Sequence, residues 1–143
     1  MKLIFLDIDG VLVTTKSLLA GNEYRFDKEC VENLFEIITK TGAKIVISSS
    51  WREDRTLIQL QKLFEKNGLG DNIIDVTPIH GEHEIRGSEI KAYLESCNLE
   101  IEKFVIIDDE EEMGELAPYL VETDFKSGID EKAKNKVIQI LNS

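Results

Sequence analysis

Short apolar runs alternating with amphipathic stretches predict an α/β fold, a three-layer, Rossmann-like domain around a central, mainly parallel five-stranded sheet. Three observations carry that reading. Apolar runs at residues 3–6, 43–47 and 104–107, with a weaker one at 73–76, have the length of strands, and the first reads as buried on both faces. The stretches between them repeat apolar residues at helical spacing. Polar groups close three of the runs: Asp7 and Asp9, Ser48 and Ser49, Asp108 and Asp109.

Taken in order, the first strand drives into Asp7-Ile8-Asp9-Gly10 and a further apolar patch. Residues 13–25 are mixed and polar, with Gly21-Asn22 as a turn, and suit a small flap over the strand end. Asp27 is an expected N-cap for a helix whose stripe is Val31, Leu34, Phe35 and Ile38, stopped by Gly42. The second strand follows and ends in Ser48-Ser49-Ser50-Trp51-Arg52. Leu57, Leu60, Leu63 and Phe64 mark a second helix, halted at Asn67-Gly68, before a weaker third strand at 73–76. Residues 77–87 read as a polar loop carrying His80, His83 and Arg86. Ser88 is the expected cap of a third helix with the stripe Ile90, Tyr93, Leu94 and Cys97. The fourth strand precedes the acidic run 108–112, then come a short helix with Met113, Leu116 and Ala117, a fifth strand near 119–122, and a last helix from about Asp130.

At 143 residues the chain suits one domain spanning 1–143, long enough for its own core. No stretch approaches the roughly 20 apolar residues of a membrane span. Asp7 and Asp9 interrupt the first apolar run early, so no signal peptide is expected. Cys30 and Cys97 lie on apolar helical stripes without metal-ligand spacing, so free buried thiols and a reducing cytoplasm are expected. A net charge of −11 opposes general attraction to nucleic-acid backbones. A local field set by Arg86, with Arg52 and Lys16 near the rim, would have to reverse it.

Right-handed crossovers in a parallel sheet bring the strand C-termini to one edge. The carboxylates of Asp7, Asp9, Asp108 and Asp109 would gather there, and so many acids at one edge require a cation. Their hard oxygen donors suit Mg²⁺, as ligands that leave room for a substrate phosphate. Ser48, Ser49 and Arg86 are candidate phosphate-binding groups. One aspartate can then attack phosphorus while another exchanges the leaving group's proton. Taken singly, each feature has a plainer reading. Asp-Gly can serve a turn, hydroxyls after a strand can be caps, the acidic run can be a helix N-terminus, and Arg86 can be a solvated loop residue.

In order and spacing these positions resemble the haloacid dehalogenase (HAD) superfamily of Mg²⁺-dependent phosphohydrolases. Asp7-Ile8-Asp9-Gly10-Val11-Leu12 matches its first motif, Ile45-Val46-Ile47-Ser48 its second and Val105-Ile106-Ile107-Asp108-Asp109 its fourth. The third motif is a basic residue near the helix before strand four. Arg86 fits by position, while the family's usual lysine makes Lys91 a rival. The resemblance implies Asp7 as nucleophile and Asp9 as general acid/base. It also implies metal contacts from the Asp7 side chain and from a main-chain carbonyl at Ile8 or Asp9. The runs 48–52 and 86–90 further look like a small HAD subgroup related to domains of RNA-repair proteins.

Large cap domains in this family sit at places where this chain has no room, so no large cap domain is expected. An open cleft of that kind suits a macromolecular end or needs a partner to exclude water. The likeness to the RNA-repair subgroup implies a phosphorylated substrate such as a nucleotide or a nucleic-acid end. A phospho-accepting signalling domain and a non-catalytic HAD-like binding module are the alternatives. The order of the acidic pairs argues against the first, and the full motif set against the second.

Overall fold

The computed structural model describes residues 1–20, 26–81 and 84–143. Its centre is an all-parallel sheet of β1 (Lys2–Leu6), β2 (Lys44–Ile47), β3 (Ile73–Val76), β4 (Lys103–Asp108) and β5 (Leu120–Glu122), in the order β3-β2-β1-β4-β5. The first strand is thus the middle one. The chain leaves β1 toward β2 and β3, then returns to the other side of β1 as β4. That reversal makes the crevice beyond β1 and β4 the topological switch point, where open α/β sheets bind their ligands.

Side chains alternate across the sheet, and each face builds its own core. Ile4, Leu6, Ile45, Ile47, Val105 and Ile107 face α2 (Lys28–Thr41), α3 (Leu57–Glu65) and α5 (Glu131–Leu141) through Leu34, Ile37, Leu60, Phe64, Val137 and Leu141. Leu3, Phe5, Val46 and Ile106 face α4 (Arg86–Ser96) and a 3-10 segment, Gly114–Tyr119, through Ile90, Tyr93, Met113 and Leu116. Each residue following Leu6, Ile47, Val76 and Ile107 therefore belongs to the α4 side. These are Asp7, Ser48, Thr77 and Asp108.

Asp27 caps α2 through the N–H groups of Glu29 and Cys30, and Gly42 closes it at φ +70°. Asp130 caps α5 as anticipated. Ser88 does not cap α4. That helix begins two residues earlier, with Ile85 at the N-cap and no side-chain cap bond, because Gly87 lets its first turn lie against the Met113 backbone. A Cβ at that position would collide with the Met113 carbonyl. Cys97 also departs from expectation. It is the residue after α4, in extended backbone and half-buried, whereas Cys30 is buried. Part of the anticipated flap is a five-residue helix, α1 (Thr15–Leu19), with a reciprocal Thr14/Ser17 capping box. The turn at Gly21-Asn22 and the rest of the flap lie outside the described residues, as does His83. Among the described residues no helix is long and apolar enough to cross a membrane.

Candidate active site

Strand register assembles the site. The Asp7 N–H donates to the Ile107 carbonyl at 3.0 Å, the Ser48 N–H to Leu6 at 3.1 Å, and the Thr77 N–H to Ile47 at 3.0 Å. The ladder thus runs one residue beyond the named strands and sets Thr77, Ser48, Asp7 and Asp108 side by side. The loop after β1 is held from three directions. Thr123 Oγ1 donates to the Gly10 carbonyl at 2.7 Å, Ile129 N–H to Val11 at 3.0 Å, and Thr14 Oγ1 to Asp27 at 2.7 Å. Gly10 itself has φ +78°, and a Cβ there would run into the Asp109 carboxylate. The glycine is what allows the turn to lie beside the acid that follows β4.

Asp7, Asp108 and Asp109 each offer a carboxylate oxygen within 4.8 Å of the others. Asp7 and Asp108 are buried, and Asp109 is half-buried. Arg86, at the start of α4, reaches between them. Its Nη1 lies 2.8 Å from Asp108 Oδ2 and 3.2 Å from Asp7 Oδ2. Lys91 sits one turn further along, half-exposed, and pairs with Glu115 instead. Burial, reinforced by the Asp108 charge and opposed by Arg86, pushes the Asp7 carboxyl up to about 9. Asp108 is also pushed up by burial, against the pull of Arg86. Burial works against the Arg86 charge, yet Asp7 and Asp108 hold its pKa above the usual value. One guanidinium among three carboxylates leaves the group short of positive charge, which a proton or a metal ion would supply.

Asp9 is not in this group. Its side chain is exposed, and Oδ2 accepts a hydrogen bond from Trp51 Nε1 at 3.1 Å. The expected set of four convergent carboxylates is three here, because Asp9 has already left the pleat for the turn. The Ile8 carbonyl, one of two main-chain groups expected near a metal, accepts the N–H groups of Val11, Leu12 and Val13 at 2.8–3.1 Å. It is occupied by the turn.

The two serines divide. Ser48 Oγ is fully buried beside Asp7 and has no hydrogen-bond partner. Ser49 Oγ accepts from the Trp51 N–H at 3.1 Å, capping the 3-10 turn Ser50–Glu53. Thr77 Oγ1, at the end of β3, is the second buried side-chain atom without a partner among the described residues. Thr77 closes β3 as Ser48 closes β2, a signal already present in the sequence.

Arg52, expected at the rim, is instead buried and has all five of its N–H donors engaged. It donates to the carbonyls of Ser48, Ser49, Thr77 and Pro78 at 2.8–3.0 Å and pairs with Glu89 at 2.8 Å. Glu89 Oε2 in turn accepts the His80 N–H at 2.9 Å, while His80 itself is exposed. The ends of β2 and β3, the loop after β3 and α4 are thereby tied together, which sets Arg86 over the carboxylates. Lys16 is an exposed residue of α1.

These residues can hold a divalent cation by hard oxygen donors and present a hydroxyl and a guanidinium to an anion beside it. No curated protein and no solved structure gives a significant match to the chain. A family model described as the HAD domain in Swiss Army Knife RNA repair proteins matches residues 3–133. That span runs from β1 into α5 and contains every residue of the site. The chain therefore belongs to this family of HAD domains, within a superfamily of phosphohydrolases.

Proposed function

We propose that the protein is a Mg²⁺-dependent phosphomonoesterase working through an aspartyl-phosphate on Asp7. The observation that carries this reading is the convergence of Asp7, Asp108 and Asp109 at the ends of β1 and β4, with Arg86 between them and the unpartnered Ser48 hydroxyl alongside. The three carboxylates fit Mg²⁺, which takes a few hard oxygen ligands and keeps the rest of its sphere for water and phosphate. Bound there, the ion would neutralise phosphate charge and draw electron density from phosphorus.

The chain's own residues supply the rest. Asp7 attacks phosphorus in line with the leaving oxygen, forming the Asp7 Oδ–P bond as the P–O bond breaks. Asp9 gives that oxygen its proton, then takes one from the water that releases phosphate and regenerates Asp7. Ser48 Oγ–H and the Arg86 guanidinium bind the non-bridging oxygens, and Arg86 exchanges carboxylate partners for phosphate as it does so. With one half of a buried ion pair already in place, little reorganisation is needed at that moment.

The substrate we favour is a phosphorylated nucleotide or nucleic-acid end. It rests on the family description and on a chain with no room for a large cap. The setting we favour is a reducing compartment such as the cytoplasm, since both cysteines are free and Cys30 is buried. Hydrolysis of an aryl phosphate by the purified protein with Mg²⁺ tests the activity, and Asp7→Asn should lower kcat at least about 1,000-fold. Full activity in that variant overturns the assignment of the nucleophile. A panel of nucleotides, sugar phosphates and 3′- or 5′-phosphorylated oligonucleotides tests the substrate class, and no preference for oligonucleotide ends removes the nucleic-acid reading.

A further inference from the structure

Trp51 is the only tryptophan in the chain, and it lies in the 3-10 turn that follows β2, 42 residues from the aspartate it touches. Its indole N–H donates to Asp9 Oδ2 at 3.1 Å. Three contacts hold Trp51, one at its backbone and two at its ring. The Ser49 hydroxyl caps the turn at its backbone N–H, Phe26 packs on it with centroids 6.0 Å apart, and the Arg55 guanidinium lies 4.8 Å from the ring centroid. Phe26 leans in turn on the buried Phe64 of α3, at 5.2 Å. Trp51 is 9% exposed, whereas the aspartate it holds is open to solvent.

That pairing has a chemical meaning. An exposed aspartate samples several rotamers, and a cation held by Asp7, Asp108 and Asp109 would draw it inward as a further ligand. An indole N–H is a donor only, with no acceptor site, and it carries no charge in either state of its partner. It can engage Oδ2 whether Asp9 is carboxylate or carboxylic acid, which leaves Oδ1 as the oxygen that carries the proton.

Resting on the phosphatase reading above, we propose that Trp51 is a positioning residue for Asp9, holding its carboxyl apart from the metal-binding carboxylates and aimed for proton exchange with the leaving group. In the first step the Asp9 Oδ1 proton passes to the departing oxygen as the P–O bond breaks and the Asp7 Oδ–P bond forms. In the second, water adds to phosphorus, its proton goes to Oδ1, and Asp7 leaves as carboxylate. Trp51 keeps Oδ2 engaged throughout.

Leaving-group dependence tests this. An alkyl phosphate needs a proton on its poor leaving group, and p-nitrophenyl phosphate does not. Trp51→Phe keeps an aromatic ring on the Phe26 and Arg55 side and removes the N–H donor, at the cost of a smaller ring. With Mg²⁺ its kcat/KM should fall at least about tenfold on glycerol 2-phosphate and by less than about twofold on p-nitrophenyl phosphate, as expected of an impaired general acid. Equal losses on the two esters, or none, overturn the role of Trp51 alone. A wild type inactive on both overturns the phosphatase reading and this role with it. A second readout needs no turnover. Because Trp51 is the sole tryptophan, Asp9→Ala should shift its emission maximum or yield, and an unchanged spectrum overturns the contact.

Discussion

Gly10 shows how one residue carries two constraints. Its left-handed φ of +78° excludes most side chains, and the Asp109 carboxylate occupies the space a Cβ would take. Asp7, three positions before it, is the most perturbed acid at the site. Its carboxyl is pushed from 3.8 to about 9 by burial first and by Asp108 second. The folded metal-free protein therefore holds a proton there that the unfolded chain has released, across the window from about pH 4 to about pH 9. Folding stability contributed at this position falls as pH rises through that window. Asp7→Asn removes the titrating group, so the metal-free variant should exceed the wild type by about 1–2 kcal/mol at pH 8 and match it near pH 4. Chemical denaturation in a chelator at both pH values checks this. A variant less stable than wild type at pH 8 would show that Asp7 is satisfied as a carboxylate.

At the scale of elements, α4 is placed by two arginines with opposite environments. Arg86 looks into the site, and Arg52 anchors the helix from beneath through Glu89. Both members of the Arg52–Glu89 pair are nearly enclosed, with side chains 3% and 11% exposed. Removing one partner strands the other and frees four backbone carbonyls, so Arg52→Met should cost about 3–5 kcal/mol in a urea titration. Adding Glu89→Leu should recover a substantial part of that loss, because no unpaired charge is left behind. Purely additive losses in the double variant would mean that the pair does not act as a unit. From the sequence, Arg52 and Arg86 were both basic residues in polar segments. Which one clamps and which one faces the acids depends on contacts between the ends of β2 and β3 and on the close approach that Gly87 allows α4.

For the whole molecule, a net charge of −11 meets a site that itself gathers carboxylates. A cation bound there relieves both the local crowding and part of the global repulsion. Mg²⁺ should raise the melting temperature with the logarithm of its concentration, by an amount corresponding to about 2.7 kcal/mol at a hundredfold excess over Kd. A chelator should reverse the effect, and Asp108→Asn should remove most of it. A melting temperature indifferent to Mg²⁺ at millimolar concentration would separate the carboxylate group from any metal role. The acidic surface also sets an expectation for nucleic-acid substrates. Recognition would centre on the phosphorylated end rather than on contacts along the backbone.

Much of this architecture was legible in the chain alone. Apolar runs of strand length, broken by capped amphipathic helices, determined a parallel α/β sheet, since only that arrangement buries both faces of every strand. Polar residues closing those runs determined that Asp7, Ser48 and Asp108 would share an edge, because parallel strands end together. The tertiary structure alone decided the finer allocation. It left Asp9 with Trp51 rather than with the other acids, filled the Ile8 carbonyl with turn hydrogen bonds, and buried Arg52. It also added Thr77 to the row of strand ends. The capture of Asp9 by Trp51 and the burial of Arg52 against Thr77, Pro78 and Glu89 turn on contacts between residues distant in sequence, whose distance and direction no local pattern encodes.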